Sequence, residues 1–222
     1  MLDPQRSDLT IGVLGAGTMG RGIAQVSAVS GMSVRFFDTN TEQLNKAVEF
    51  IGGMMVRAAE KGRMSAEDAK AATDRIQIVD SLQGFADCHV VVEAIIENLD
   101  IKKKVFAELD QIVAKDGILA TNTSSLSVTS IAAGTENQER VAGLHFFNPP
   151  PLMKLVEVIG GLRTSQEVVD ALMVIGTRMG KHAVACQDTP GFLVNHAGRA
   201  YGPESLRIIG EGELGSGDEI QV

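Results

Sequence analysis

A glycine-rich turn near the N-terminus constrains the fold of this chain most. Residues 15–20 read Gly-Ala-Gly-Thr-Met-Gly, directly after the apolar run Thr10–Leu14 and before an amphipathic stretch. The first glycine permits a tight turn, the second lets a phosphate approach the backbone, and the third lets a helix pack closely on a strand. The pattern is weak alone, but in this context it predicts a strand–turn–helix unit that binds a dinucleotide.

An acidic residue at the end of the second predicted strand indicates which dinucleotide. Asp38 follows the run Ser33–Phe37, 23 residues after Gly15, close to the spacing expected of a carboxylate that binds the adenosine ribose. A carboxylate there would repel a 2′-phosphate, so the sequence favours NAD over NADP. A turn that needs glycine only for packing is the alternative. The expected cofactor contacts in the turn are Gly15, Gly17, Thr18, Met19 and Gly20.

The rest of the chain alternates short apolar runs with longer amphipathic segments. The predicted strands are residues 10–14, 33–37, 76–78, 89–94, 117–120, 141–145 and 154–159. The predicted helices are residues 19–29, 42–60, 65–73, 101–114 and 165–179. This alternation predicts an α/β protein with a Rossmann-like, doubly wound, mainly parallel sheet.

Composition narrows the class of protein. The 222 residues include 20 Lys and Arg against 28 Asp and Glu, a net charge of −8, with 4% aromatic residues. Such a chain lacks the basic face that nucleic acids require, so we expect no nucleic-acid partner. No long apolar run or signal pattern is present, and we expect a cytoplasmic protein with no membrane contact. Cys88 and Cys186 lack zinc-ligand spacing, so we expect two small buried side chains and no metal site.

Polar side chains follow two of the later predicted strands. Thr121–Ser125 is a run of five small polar residues after one strand; the alternative interpretation is a turn that caps the next helix. His145 closes the next strand and is followed by Phe-Phe-Asn and three prolines, a rigid exit that would fix the imidazole. The alternative is a buried histidine whose ring nitrogens form hydrogen bonds within the core and have no functional role. In an open α/β sheet, ligands bind beyond the carboxyl ends of strands, so both places are candidate sites.

Glu157 makes His145 a stronger candidate. Strand alternation puts Glu157 in an apolar row with Leu155 and Ile159. A buried carboxylate needs a partner, which is His145, one strand earlier, or alternatively Lys154 or another cation. A His–Glu pair suits a general base, and beside a nicotinamide it predicts oxidation of an alcohol. A serine hydrolase is disfavoured because the chain has no G-x-S-x-G motif.

Six motifs in order give the chain a family resemblance, which extends from the first strand to about Gly210. They occupy residues 15–20, 92–98, 121–126, 145–149, 154–159 and 188–195. They resemble the motifs of L-3-hydroxyacyl-CoA dehydrogenases, including the bacterial 3-hydroxybutyryl-CoA enzymes. The resemblance implies NAD-linked oxidation of an L-3-hydroxyacyl-CoA to the 3-oxoacyl-CoA, or the reverse, in fatty-acid β-oxidation or short-chain acyl-CoA metabolism.

The resemblance also implies residue roles. His145 would be the general base with Glu157 as its partner, and Ser124 and Asn195 would hold the substrate oxygen. Asp38 would bind the adenosine ribose. The residues implied to line the nicotinamide half are Glu97, Lys102, Asn122, Ser124 and Asn148.

Two features bear on these roles. Without the resemblance, Glu97 and Lys102 would be interpreted as an acid at a helix start and a surface base. The segment Gly191–Asn195 is followed by His196, whereas family members commonly have an arginine after the asparagine.

The family pattern predicts a domain boundary. Residues 1–188 would form the NAD-binding domain. Residues 189–222 would hold the first helix, from about Gly191 to Ile209, of an all-helical domain that closes the acyl-CoA cleft and forms a homodimer. The apolar side chains expected to lack neighbours there are Leu193, Val194, Ala197, Tyr201, Leu206 and Ile209. We expect the 222-residue chain to bind NAD but to be weakly active or inactive, because half of the substrate enclosure would be absent.

Two other functions stay open. One is a β-hydroxyacid dehydrogenase of another subgroup, which carries a similar glycine turn but uses a catalytic lysine. The other is a non-catalytic, crystallin-like NAD-binding protein.

Overall fold

The part of the chain described by this computed structural model, residues 2–211, contains one eight-stranded sheet. Its strands are β1 (Thr10–Leu14), β2 (Ser33–Phe37), β3 (Ile76–Ile78), β4 (Val90–Glu93), β5 (Ile118–Thr121), β6 (Val141–Phe146), β7 (Leu155–Gly160) and β8 (His182–Gln187). The strand order is β3-β2-β1-β4-β5-β6-β7-β8. Neighbouring strands are parallel throughout except at the β6–β7 pair. The prediction of a Rossmann-like, mainly parallel sheet is confirmed.

Helices alternate with these strands. They are α1 (Thr18–Val29), α2 (Thr41–Glu60), α3 (Ala66–Asp74), α4 (Leu99–Ile112), α5 (Val128–Ala132), α6 (Gln166–Arg178), α7 (Val194–Gly198) and α8 (Tyr201–Gly210). Five of them begin after a short polar residue whose side-chain oxygen accepts a hydrogen bond from a first-turn N–H. These N-caps are Asn40, Ser65, Asn98, Ser127 and Ser165.

The core lies on both faces of the sheet, and β4 shows why. Val90 and Val92 pack in the cluster that holds the apolar faces of α1, α2 and α6. Val91 points the other way, into the cluster formed with α4 and α5. A strand covered on both faces must be apolar at every position, which explains its unbroken valine run.

The strand order reverses between β1 and β4, and this reversal positions the site. In the sheet register Leu14 lies beside Glu93, and Glu93 lies beside Thr121. The loops that follow β1, β4 and β5 therefore start side by side at one edge of the sheet. A crevice at such a reversal is the usual ligand site of an open α/β sheet.

Two elements were not predicted from the sequence. Strand β8 extends the sheet beyond β7; its residues are half-buried or exposed, and its apolar run Ala183–Cys186 consists mostly of small side chains. Helix α5 has only five residues, too few for the periodicity by which the longer helices are recognised. Both are stabilised by neighbours that are distant in the sequence.

The predicted single helix from Gly191 to Ile209 is wrong. Two helices, α7 and α8, occupy this stretch. Pro203 explains the break, because a proline inside one long helix would remove a backbone hydrogen bond, whereas in the first turn of α8 its missing N–H costs little. The second domain itself stays a prediction, and residues 212–222 of that prediction lie outside the described residues.

Most of the side-chain environments predicted for this stretch and for the two cysteines agree with the structure. Leu193, Tyr201, Leu206 and Ile209 are exposed large apolar side chains, Ala197 is exposed and Val194 is half-buried. Cys88 is buried, but the prediction of a buried Cys186 is wrong, since this residue of the edge strand β8 is half-buried. Burial raises the pKa of Cys88 to about 12 and that of Cys186 to about 11.

In residues 2–211 we find no helix with the length and apolarity of a membrane span.

Candidate active site

The glycine turn after β1 is shaped by two close approaches. Gly15 has a φ of 103°, and a Cβ built on it would lie 2.5 Å from the carbonyl oxygen of Ala94. A Cβ on Gly20 would lie 1.7 Å from the carbonyl oxygen of Gly15, so only glycine lets α1 pack against the turn. A Cβ on Gly17 would meet only the side chain of Gln43, at 3.9 Å. Protein packing therefore does not require glycine there, which fits a position approached by a ligand.

Asp38 ties this turn to the end of β2. Its Oδ2 accepts a hydrogen bond from the N–H of Ala16 at 2.6 Å, and its Oδ1 accepts one from the N–H of Asn40 at 2.8 Å. Each carboxylate oxygen can accept a further bond. The N-cap of α1 is Gly17, which has no side chain to occupy the first-turn N–H groups. A dinucleotide fits this end of the crevice, with ribose hydroxyls at the carboxylate and phosphates at the helix N-terminus.

A buried ion pair lies at the ends of β4 and β5. The Oε1 atom of Glu93 accepts hydrogen bonds from the Nζ of Lys102 at 2.6 Å and from the N–H of Ile95 at 2.7 Å. Its Oε2 accepts one from the hydroxyl of Thr121 at 2.8 Å. Glu93 and Lys102 are 0% and 1% exposed. Glu93 was not predicted as a site residue, although a carboxylate that ends a valine run signals a buried partner.

Glu97 extends this ion pair toward the cleft. Its Oε2 lies 3.3 Å from the Nζ of Lys102, and its Oε1 accepts hydrogen bonds from the Thr123 hydroxyl, the Ser124 N–H and the Ser125 hydroxyl. Burial alone would raise the pKa of Glu97, but the Thr123 hydroxyl, the Lys102 charge and the Ser124 N–H together hold that pKa below its usual value. The carboxylate thus links Lys102 to the loop that carries Ser124.

The interpretation of Lys102 as a surface base is wrong, because its side chain is enclosed in the protein. Glu97 is exposed and lies directly before Asn98, the N-cap of α4, as expected of an acid at a helix start. A periodic pattern of charges suggests a solvated helix face, but Lys102 points inward because Glu93 supplies a buried partner.

His145 and Glu157 face each other across the antiparallel β6–β7 pair. Nδ1 of His145 lies 2.7 Å from Oε2 of Glu157, and the two residues are 5% and 0% exposed. Oε1 of Glu157 accepts hydrogen bonds from the N–H groups of Leu193 at 3.0 Å and Val194 at 2.8 Å. The carboxylate therefore pairs with the histidine, rather than with Lys154, the alternative considered from the sequence.

Two aromatic side chains pack near the imidazole. The ring centroid of Phe147 lies 4.5 Å from that of His145, and the ring centroid of Phe192 lies 5.8 Å away. With Nδ1 engaged by the carboxylate, Nε2 is the ring nitrogen left for a ligand.

The proline-rich exit after β6 is fixed as well. The ring of Pro150 packs on α1 so closely that a Cβ on Gly22 would lie 2.7 Å from it. The buried Nζ of Lys181 donates hydrogen bonds to the carbonyl oxygens of Pro150 and Met153. Burial and the charge of Lys154 lower the pKa of Lys181. Lys181 was not predicted, because its partners are backbone groups about 30 residues away.

A cleft of about 360 Å³ at this edge of the sheet brings the predicted residues together. It is lined by Met19, Glu97, Lys102, Asn122, Ser124, His145, Asn148 and Asn195. Asn122 is fixed because its Oδ1 accepts a hydrogen bond from the N–H of Phe146 at 2.9 Å. Nδ2 of Asn195 lies 3.4 Å from the carbonyl oxygen of Ser124. The other predicted cofactor contacts, Gly15, Gly17, Thr18, Gly20 and Asp38, lie around the β1 turn rather than in this cleft.

Asp188 anchors the segment that leads to Asn195. Its carboxylate accepts hydrogen bonds from the Ser127 hydroxyl at 2.8 Å and from the N–H groups of Val128 at 3.0 Å and Thr129 at 2.8 Å. Burial would raise the pKa of Asp188, but these hydrogen bonds lower it. In residues 2–211 no group of three or more His, Cys, Asp or Glu side chains is arranged to hold a metal ion.

Comparison with known proteins relates this geometry to a family. Residues 10–189 match the family described as "3-hydroxyacyl-CoA dehydrogenase, NAD binding domain". The chain is 43% identical over 202 residues to the 3-hydroxyadipyl-CoA dehydrogenase of Escherichia coli, covering 91% of this chain and 42% of that protein. It is 43% identical over 200 residues to a probable 3-hydroxybutyryl-CoA dehydrogenase of Bacillus subtilis, covering 90% of this chain and 70% of that protein.

The solved structure of another dehydrogenase has the same fold as this chain. The (S)-3-hydroxybutyryl-CoA dehydrogenase PaaH1 of Ralstonia eutropha superimposes with a TM-score of 0.90 at 37% identity, covering 95% of this chain and 74% of that one. The chain thus spans between about two fifths and three quarters of the length of these three proteins. It belongs to the family of NAD-binding domains of 3-hydroxyacyl-CoA dehydrogenases.

Proposed function

We propose that this chain is the cofactor-binding and proton-accepting part of an NAD-dependent dehydrogenase that interconverts an L-3-hydroxyacyl-CoA and its 3-oxoacyl-CoA. The observation that carries the proposal is the pairing of His145 with the fully buried Glu157 at a cleft lined by Ser124 and Asn195. A histidine held by a carboxylate on one nitrogen is suited to take a proton on the other.

NAD would lie along the crevice from the β1 turn to this cleft. The turn and the α1 N-terminus would bind the pyrophosphate and Asp38 the adenosine ribose. The side chains assigned to the nicotinamide half are Glu97, Lys102, Asn122, Ser124 and Asn148. When bound, the nicotinamide ring supplies the acceptor for the hydride that leaves C3 of the substrate.

The chain's own residues handle the proton. Nε2 of His145 accepts the proton of the 3-hydroxyl group as the carbon–oxygen double bond forms. Ser124 and Asn195 hold the substrate oxygen beside the imidazole. The carboxylate of Glu157 stabilises the imidazolium and keeps the ring oriented. In the reverse direction His145 returns this proton to the oxygen.

The substrate class is a CoA thioester of a short 3-hydroxy acid, since the relatives are named for 3-hydroxyadipyl-CoA and 3-hydroxybutyryl-CoA. As parts of the same proposal, the protein acts in the cytoplasm, takes part in β-oxidation or short-chain acyl-CoA metabolism, and forms a homodimer. These parts depend on the family rather than on a contact in the structure.

The test is NADH oxidation with acetoacetyl-CoA and, as the matched control substrate, free acetoacetate. Two proteins are assayed: the 222-residue chain, and an extended chain in which it is joined to the part of the Bacillus subtilis relative that lies outside the match. We expect NADH binding by both and turnover of the thioester, but not of the free acid, by the extended chain.

Turnover of the free acid would instead indicate a β-hydroxyacid dehydrogenase. NADH binding without turnover in both proteins would indicate a non-catalytic NAD-binding protein. Either result would contradict the proposed function.

A further inference from the structure

The segment from Asp188 to Asn195, here called the strap, contacts the base as well as carrying a cleft residue. Its N–H groups at Leu193 and Val194 both donate to Oε1 of Glu157, while Oε2 of the same carboxylate faces Nδ1 of His145. The two oxygens of Glu157 therefore bind different parts of the site, because Oε1 holds the strap and Oε2 holds the imidazole.

The strap is itself fixed at several points. Asp188 holds its start against the N-terminus of α5. Phe192 is buried, has a φ of 50°, and packs its ring on His145. A left-handed backbone at a non-glycine residue is strained and persists only where the surroundings enforce it. The positions of the two N–H donors are thus set independently of Glu157.

The two N–H groups impose an orientation on whatever side chain stands at position 157. A backbone N–H can only donate, so Leu193 and Val194 require an acceptor. A carboxylate satisfies them and still presents an oxygen to the ring. An amide has one acceptor oxygen, and leaving two N–H donors unpaired is costlier than changing the tautomer of a histidine. The amide oxygen would therefore stay with the strap and its NH₂ group would face Nδ1.

We propose that the N–H groups of Leu193 and Val194 are positioning groups for the base, which orient Glu157 and so couple the tautomer of His145 to the strap that carries Asn195. With Glu157 present, Nδ1 of the neutral ring carries the proton and Nε2 is free to accept one. The catalytic meaning of this coupling rests on the proposed function, whereas the coupling itself rests on these contacts.

The experiment is a ¹⁵N NMR measurement of the His145 tautomer in the 222-residue chain and in its Glu157→Gln variant, at a pH where the ring is neutral. His145→Gln identifies the resonances. We expect Nε2 to be the unprotonated nitrogen in the original chain and Nδ1 in Glu157→Gln. Glu97→Gln removes a charge from the same cleft without touching the ring, and we expect it to leave the tautomer unchanged.

Hydrogen exchange of the two strap N–H groups gives a second readout. We expect the N–H groups of Leu193 and Val194 to exchange slowly in the original chain and to stay protected in Glu157→Gln, because the amide oxygen still accepts from them. The inference is overturned if Nε2 stays unprotonated in Glu157→Gln, or if these two N–H groups are unprotected in the original chain. Neither readout uses substrate, so the proposed function can fail while this inference stands, and the reverse.

Discussion

Glu93 and Glu157 are two fully buried carboxylates on the same sheet, and their difference explains how the site is divided. Glu93 ends β4 and binds the ammonium group of Lys102 at 2.6 Å. Glu157 lies within β7 and binds the imidazole of His145 at 2.7 Å. Both carboxylates also accept hydrogen bonds from backbone N–H groups. By burial and by distance the two pairs are nearly alike.

The partners differ in what they can do next. An ammonium group has only donors, and that of Lys102 binds Glu93 and Glu97. This pair can fix the loop that carries Ser124, but its lysine has no acceptor for a proton. An imidazole has two nitrogens, and only one of those of His145 is engaged by Glu157. A buried carboxylate thus fixes the position of a loop at Glu93, whereas at Glu157 the proposed function has a buried carboxylate support proton transfer.

The largest expected effect is on turnover, and it distinguishes the His145–Glu157 pair from the Lys102–Glu93 pair. In the extended chain, Glu157→Gln should lower kcat about 10²–10⁴-fold, because the base then carries its proton on the wrong nitrogen. Its free energy of unfolding should change by only about 1 kcal/mol, since the hydrogen bonds to the strap remain. Steady-state kinetics and urea unfolding measure both. A kcat close to that of the unmodified protein would remove the distinction between Glu157 and Glu93.

The next effect is on stability and concerns the other pair. Glu93→Gln should lower the free energy of unfolding by up to about 3 kcal/mol, because it removes the closer of the two carboxylates that compensate the buried charge of Lys102 and leaves only Glu97, at 3.3 Å. Urea unfolding at neutral pH measures the loss. The matched control is the double variant Glu93→Gln with Lys102→Met, which also removes the ammonium charge while keeping an amide oxygen as an acceptor, and it should recover most of that loss. A double variant as unstable as Glu93→Gln would show that the burial of charge is not the cause.

A smaller effect tests the third partner of Glu93. Thr121→Val should cost about 1.5–3 kcal/mol, since it removes a hydrogen bond to a charged acceptor. Thr135→Val is the matched control, because the buried Thr135 hydroxyl donates to a neutral carbonyl oxygen at the same 2.8 Å, and it should cost about 0.5–1.5 kcal/mol. Equal losses in the two variants would mean that Glu93 is not held as a carboxylate.

The smallest effect is a pH dependence of stability due to Glu97. Because its folded-state pKa lies below the usual 4.5, its stabilising contribution is fully present above that value and is lost as pH falls through the lower folded-state pKa. The difference in unfolding free energy between the original chain and Glu97→Gln should therefore shrink as pH falls from about 6 to about 3. Urea midpoints over that range measure it, and a constant difference would contradict the contacts of Glu97.

Local patterns explain what the sequence predicted well. The glycine turn, its preceding strand and Asp38 lie within 29 residues. Each depends on a local property of its own residue type, so it can be predicted without knowing the distant contacts. The pairing of Glu157 with His145 was predictable because the two strands are consecutive and strand alternation shows which residues share a face.

Long-range contacts explain what was missed. The helix periodicity that made Lys102 a surface base could not show the buried Glu93 nine residues earlier. The hydrogen bonds from the strap to Glu157 join residues that are 36 and 37 positions apart in the sequence. Their donors are backbone N–H groups, which no side-chain pattern indicates. Strand β8 is stabilised by pairing with β7 rather than by its own apolar pattern.

The most direct test of the central claim, that His145 is the base at this site, is the kcat of a His145→Gln variant of the extended chain with acetoacetyl-CoA and NADH, measured beside the Kd for NADH. We predict that kcat falls about 10²–10⁴-fold while the Kd changes by less than about twofold. An unchanged kcat would contradict the claim, and so would a loss of activity that is fully explained by weaker NADH binding.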